Sequence, residues 1–312
     1  DDLVVALVCG GGSALLPAPP RGLTLADEQA LNAALLASGA PISAMNSIRK
    51  QVSLIKGGRL AAVAHPARVV SLIVSDVPGD DPAQVASGPT VPDPQGRAEA
   101  LAHLRAFGIE LPDRVAAFLA SAPEDAPRPD DPGFSRDTVR VVASASISLE
   151  AAARAAEAAG LRAVILSDAI EGEAREVGKV HAALAREVAL RNRPFDRPVV
   201  VLSGGEPTLT IRGPGGRGGR NTEFLLSAAR ALDGVGGVAA LAADTDGIDG
   251  SEDNAGAFAD GATAARLRDA GLDPSALLSG HDAWTAFAAL GDLFVPGPTG
   301  TNVNDFRAFL IR

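Results

Sequence analysis

Short apolar runs alternate with helical stripes along this chain. Leu3 to Cys9 (LVVALVC), Val69 to Val74, Thr138 to Ala143, Leu161 to Leu166, Val199 to Leu202 and Gly237 to Ala243 are apolar, short and bounded by glycine, proline or charge, which predicts strands, the first of them fully buried. A later strand ends over Phe294 to Gly297, and Phe306 to Ile311 closes the chain. Thr24 is an N-cap for LADEQALNAALLASG, which carries acidic residues in its first turn and ends at Gly39; a second helix begins at Pro41. Helical spacing recurs over Ala98 to Phe107, Asp113 to Ser121, Ile147 to Ala159 and Glu173 to Leu190, and again from near Asn221. LTIR, after Pro207 and Thr208, is expected to be a hairpin partner for the strand before it.

Such alternation predicts an α/β fold. The proline- and charge-rich APEDAPRPDDPGFSRD reads as a linker, giving a first domain over 1–125, a linker over 126–136 and a second domain over 137–312. The strand at Thr138 then opens the second domain, whose strands are expected to be parallel βαβ units.

Charge and composition narrow the class. A net charge of −10, 4% aromatic residues and no tyrosine remove the electrostatic footprint and stacking platforms of nucleic-acid binders. No apolar segment approaches the roughly 20 residues of a membrane span and no leader precedes the first strand, so a soluble, cytoplasmic protein is expected. The single cysteine, Cys9, is expected to be a buried, inert thiol, and the four histidines are too dispersed to ligate a metal.

Polar residues gather where the strands end, the edge at which open α/β sheets bind ligands. Gly10, Gly11, Gly12 and Ser13 follow the first strand and let backbone amides approach an anion, although a plain tight turn explains them as well. Asn46, Arg49, Lys50, Ser53, Lys56, Gly57, Gly58 and Arg59 form a basic, glycine-ended segment in a chain with only three lysines; it suits phosphate, or is a solvated face. Asp76, at the end of its strand, is the general-base candidate, whereas Asp80 and Asp81 suit a turn. Ser203 and Glu206 close another strand. GPGGRGGRN, Gly213 to Asn221, is either a disordered tip or a loop ordered by ligand, and it brings Arg217 and Arg220 to a helix N-terminus as an anion site or as surface charge. In LAADTDGIDGSEDNAG, Asp246 and Asp249 are candidate Mg²⁺ ligands, or members of an Asp/Gly turn. PTGTNVND adds Thr301 and Asn302.

Taken in order, GGGSALLPAP, NSIRKQVSLIKGGRLA, SDVPGDDPAQVASGPT, LSGGEPTLTI, GGRGGRNTE, DTDGIDG and GPTGTNVND resemble the bacterial glycerate 2-kinases, whose C-terminal region is called MOFRL. The resemblance implies two three-layer α/β/α domains flanking a cleft, the first Rossmann-like and incomplete at its N-terminus, the second with a mixed sheet. It implies ATP- and Mg²⁺-dependent phosphorylation of D-glycerate to 2-phosphoglycerate, with Asp76, Arg220 and Asp246 in the active site. Gly10 to Ser13, Lys50, Lys56, Gly57 and Gly58 are then assigned to nucleotide phosphate, Ser203, Glu206, Arg217, Asn221, Thr301 and Asn302 to substrate, and Asp246 and Asp249 to metal. The family's catalytic lysine, from a Gly-Lys-Ala segment before the first strand here, has no counterpart. Members also carry the name hydroxypyruvate reductase, which makes an NAD(P)H-dependent reductase the alternative; a non-catalytic sugar-acid-binding protein is a third reading. The phosphate-cradling glycines and strand-end acids favour the kinase, and no G-x-G-x-x-G fingerprint supports the reductase.

Overall fold

The computed structural model describes residues 2–121, 125–211 and 213–312, so residues 122–124 of the proline-rich segment and Arg212 of the expected hairpin lie outside the described residues. The chain divides into two compact units, Asp1–Val142 and Ala143–Arg312.

In the first unit β1 (Leu3–Val8) is followed by a single helical turn, α1 (Gly12–Leu15), then α2 (Leu25–Ala37), α3 (Ile42–Gln51), α4 (Arg59–Ala64), β2 (Arg68–Val74), α5 (Arg97–Ala106), α6 (Asp113–Ser121) and β3 (Thr138–Ala143). The sheet order is β1-β2-β3, with β1 and β2 parallel and in register from Leu3↔Arg68 to Val8↔Ile73. Thr24 caps α2 through a reciprocal box in which Asp27 Oδ2 accepts the Thr24 amide at 2.7 Å. Leu31, Leu35, Ile48, Leu104, Val115 and Leu119 join α2, α3, α5 and α6 in one apolar cluster.

Three expectations are corrected here. Thr138–Ala143 joins the first sheet rather than opening the second domain, so the units divide at 142/143 and not across 126–136. An apolar run encodes a strand but not its partner, which long-range pairing alone selects. Second, β1 is a sheet edge, and Leu3, Val5 and Leu7 are 61%, 55% and 79% exposed rather than buried. Third, Cys9 stands just past β1 and is exposed as well.

The second unit runs α7 (Ala145–Ala158), β4 (Arg162–Ile165), α8 (Ala174–Arg191), β5 (Val199–Gly205), α9 (Arg220–Ala231), β6 (Val238–Asp244), β7 (Gly256–Asp260), α10 (Thr263–Asp269), α11 (Pro274–Ser279), α12 (Ala283–Leu290), β8 (Leu293–Phe294) and β9 (Asp305–Ile311). Its six-stranded sheet has the order β4-β5-β9-β6-β7-β8. Only β4 and β5 pair in parallel; β9 enters between β5 and β6, antiparallel to both, and β7 and β8 continue antiparallel. The sheet is mixed, as the family resemblance implied; the parallel units read from the alternation hold for β4 and β5, with β6 running the same way beyond the antiparallel β9. The expected hairpin at Leu209 is absent from the described residues: Thr210 donates its amide and hydroxyl to Glu173 instead, both at 2.9 Å. On alternate residues β5 faces two layers, with Ser203 against His181 of α8 and Gly204 against Leu149 of α7. The larger core lies between α8 to α12 and the sheet, around Phe224, Leu226, Phe287 and Phe309. Among the described residues no helix is long and apolar enough to cross a membrane.

Candidate active site

The topology of the second unit creates the site. Because β9 runs against β5 and β6, its first residue meets their last ones: Asp305 lies opposite Gly205 on one side and Asp244 on the other. Two carboxylates therefore arrive at one sheet edge, buried at 2% and 7% exposure. Arg220, the first residue of α9, reaches into this edge. Its Nη2 donates to Asp244 Oδ2 at 2.9 Å and to Asp305 Oδ1 at 3.4 Å, and its Nη1 donates to Glu206 Oε1 at 2.6 Å. A cation at a helix N-terminus opposes the helix dipole. Such a broken local rule marks a position kept for something other than helix stability.

The electrostatics follow from this crowding. Burial alone would lower the Arg220 pKa, but the Asp305, Glu206 and Asp244 carboxylates reverse that and hold it above its ordinary value. Burial, with Asp305 and Asp246 nearby, pushes Asp244 up to about 6 against the opposing Asp246 amide and Arg220. Asp305 is likewise raised by burial, with Arg307 and Arg220 pulling the other way.

Asp246 lies two residues beyond β6. Its Oδ1 accepts the Ile248 amide at 2.8 Å, and its Oδ2 is approached by Asn302 Nδ2 at 3.4 Å. The 297–304 segment is laced to this loop: Thr299 donates its hydroxyl to the Thr245 carbonyl at 2.6 Å and its amide to the Asp246 carbonyl at 3.0 Å. Thr301, exposed, donates its amide to the Thr299 hydroxyl oxygen at 3.3 Å. Asn221, fully buried, spans Asp305 (2.8 Å) and Asp249 (3.4 Å) with its Nδ2.

Several sequence-assigned residues are occupied elsewhere. Asp249 is 1% exposed and caps α9: Oδ1 accepts the Asn221 amide at 2.9 Å, and Oδ2 accepts the Thr222 amide and hydroxyl, both at 2.8 Å. With four donors on its two oxygens, it has no lone pair to offer a metal. The same cap consumes two of the amides at the helix N-terminus, those of Asn221 and Thr222. Ser203 is buried; burial lowers His181 to a pKa of about 4, so the ring is neutral, its Nδ1 donates to the Val177 carbonyl at 2.9 Å, and its Nε2 accepts the Ser203 hydroxyl at 2.9 Å. Arg217 stacks over Trp284 at 3.4 Å and pairs with Glu252 at 2.6 Å. The C-terminal part of the glycine-rich loop packs on its own chain: Trp284 donates its amide to the Arg217 carbonyl at 3.0 Å, and a Cβ on Gly219 would lie 2.5 Å from Asp249.

In the first unit the adjacent parallel strands β1 and β2 bring Gly10 to Ser13 and Asp76 to one edge. A side chain on Gly10 would overlap the Asp76 carboxylate, and one on Gly12 would lie 2.6 Å from Ala86 Cβ. The glycines thus permit close packing, and Ser13 Oγ meets Ser87 Oγ at 2.8 Å. Ala86 and Ser87 both hold left-handed backbone, φ 52° and 60°, which non-glycine residues adopt at a cost. The phosphate assignments further along are corrected. Lys50 is fully buried against Asp93, and Lys56, 2% exposed, pairs with Glu28 at 2.6 Å. Gly57 and Gly58 spend their amides on the Ser87 and Gly88 carbonyls at 3.0 and 2.7 Å. These groups tie the unit together and are not presented to a ligand.

Comparison with known proteins matches residues 1–120 to the Domain of unknown function (DUF4147) and residues 199–305 to the MOFRL family. A glycerate 2-kinase of Pyrococcus horikoshii is 41% identical over 97% of this chain and 69% of its own. The crystal structure of a glycerate kinase from Thermotoga maritima superposes with a TM-score of 0.89 at 39% identity, covering 100% of this chain and 73% of that one. The chain belongs to the MOFRL glycerate kinase family. The family also holds a protein of Agrobacterium vitis named putative hydroxypyruvate reductase, 55% identical over 100% of this chain and 70% of that protein. Asp244 and Asp305, which the sequence reading did not single out, are the residues that organise the site. A carboxylate on the last residue of one strand and on the first of another was the available signal.

Proposed function

We propose that the protein transfers the terminal phosphoryl group of ATP to D-glycerate, giving 2-phosphoglycerate. The observation that supports this most is the Arg220 guanidinium, anchored from beneath by two buried carboxylates and turned outward toward Glu206, whose side chain is 53% exposed. Phosphoryl transfer asks for positioned positive charge more than for covalent chemistry. Arg220 would receive the glycerate carboxylate or the transferring phosphoryl group in place of Glu206, with Asn302 beside it. Asp76, at the end of β2, would accept the proton of the attacking hydroxyl.

Among the described residues no group of three or more His, Cys, Asp or Glu side chains could hold a metal as a cage. Magnesium carried in with nucleotide needs only one or two protein carboxylates, and Asp246, with Oδ2 met only by a long Asn302 contact, fits that demand. When bound, Mg²⁺ would neutralise charge on the phosphates. Gly10 to Ser13 remain the nucleotide-phosphate candidates.

The reductase name shared by relatives is less well supported. A dinucleotide site wants a glycine fingerprint that opens a full helix, whereas the glycine turn after β1 opens a single helical turn, Gly12–Leu15. One assay separates the two: the full-length protein with D-glycerate and ATP, and with hydroxypyruvate and NAD(P)H. ADP release that needs glycerate and Mg²⁺, with 2-phosphoglycerate as product and no NAD(P)H consumption, is expected. Hydroxypyruvate-dependent NAD(P)H oxidation without ADP release would overturn the reading.

A further inference from the structure

We infer that Asp305 is a positioning residue, fixing the plane of the Arg220 guanidinium so that its outer amino group meets an anionic substrate. The inference rests on the reading of Arg220 given above. Three carboxylates touch this arginine, and they are not equivalent. Glu206, on Nη1, has a half-exposed side chain; Asp244 and Asp305, both on Nη2, have side chains 6% and 1% exposed. An exposed partner is screened and exchangeable, whereas a buried one keeps its hold. The guanidinium is planar, so anchoring Nη2 sets the direction in which Nη1 points.

Asp305 differs from Asp244 in what stands behind it. Its Oδ1 also accepts Asn221 Nδ2 at 2.8 Å, and its Oδ2 accepts Arg307 Nη2 at 2.7 Å. Arg307 is fully buried, lies 5.0 Å over the Phe224 ring, and donates through Nη1 to the Gly204 carbonyl at 3.2 Å. One carboxylate thus joins the start of β9 to the end of β5 and to the first turn of α9. It also stands between two guanidinium groups that would otherwise repel. With the Asp305 charge removed, Nη2 keeps Asp244 alone, and the guanidinium plane is free to turn about that one contact toward Glu206.

A double-mutant cycle in the full-length enzyme tests this, with Asp305→Asn and Arg220→Ala made singly and together and assayed at high enzyme concentration. Asp305→Asn is expected to lower kcat/KM for D-glycerate by about 100-fold, the scale of a misplaced catalytic group. In the Arg220→Ala background the same change should lower it no further, while it still lowers the melting temperature there through the lost bonds to Asn221 and Arg307. Should Asp305→Asn not fold, Asp305→Glu goes through the same cycle under the same criterion. A loss of turnover that persists undiminished without Arg220, or no loss at all, overturns the inference. An Arg220→Ala enzyme with full activity would instead overturn the reading of Arg220, and the inference with it.

Discussion

Asp244 shows how one residue serves two opposed ends. Its carboxylate is held up to about pH 6, mainly by burial, so it is charged, and grips Arg220, only above that pH. The ordinary aspartate value is 3.8, so between there and about 6 the folded protein binds the extra proton. Asp244 therefore stabilises the fold fully below pH 3.8 and loses that contribution as pH rises through 6. Asp244→Asn, which imitates the protonated form, should melt close to wild type at pH 4 and at or above it at pH 7. Its kcat/KM should fall by about 10- to 100-fold at pH 7, and the acidic limb near pH 6 should be gone. Thermal melts and pH–rate profiles of the pair check both halves. The lysines teach the reverse lesson. Lys50 and Lys56 drew attention through scarcity and neighbouring glycines, yet each is taken by an acid distant in sequence, Asp93 and Glu28. Spacing shows that charges are near one another along the chain, and says nothing of which remote carboxylate folds onto them.

At the scale of elements, α9 is the one whose ends and faces are all in use. Its inner face supplies Phe224, Leu225, Leu226 and Ala228 to the core, and its first turn carries Arg220 and Asn221 to the sheet edge. Gly219 as N-cap has no side chain to offer, so the orphan amides are met by Asp249 from the loop after β6. Loss of such a cap costs about 1–2 kcal/mol. Asp249→Asn should thus lower stability in urea unfolding by that order, while the Mg²⁺ concentration for half-maximal turnover stays as in wild type. A shift of the magnesium requirement without a stability loss would restore Asp249 to the metal. The helix itself was legible from its stripe and from the glycines before it. Its cap was not, because the capping carboxylate is 27 or 28 residues away rather than within the turn.

On the scale of the molecule, the six-stranded sheet and every pairing in it lie within Ala143–Arg312, together with Arg220, Asp244, Asp246 and Asp305. Asp76 and the Gly10 to Ser13 turn lie in the other unit. Expressed alone, residues 143–312 should melt in one cooperative transition and turn over no glycerate, even at high concentration. Calorimetry and the ADP-release assay check this; measurable transfer by the fragment would remove Asp76 from the chemistry.

By itself the sequence determined most strands and helices as far as β6, since those depend on periodicity and on caps a few residues away, but not β7, α10 or α11, and it offered a hairpin strand at Leu209 that does not form among the described residues. It also carried the ordered motifs that mark the family. Tertiary structure alone decided that β3 belongs with β1 and β2, and that β9 enters between β5 and β6. The reason is that pairing partners are chosen by burial summed over whole layers, a quantity no local window contains. That insertion is what sets Asp305 beside Asp244 and beneath Arg220. The same reason decides that Asp249, Lys50 and Lys56 are spent on partners within the fold.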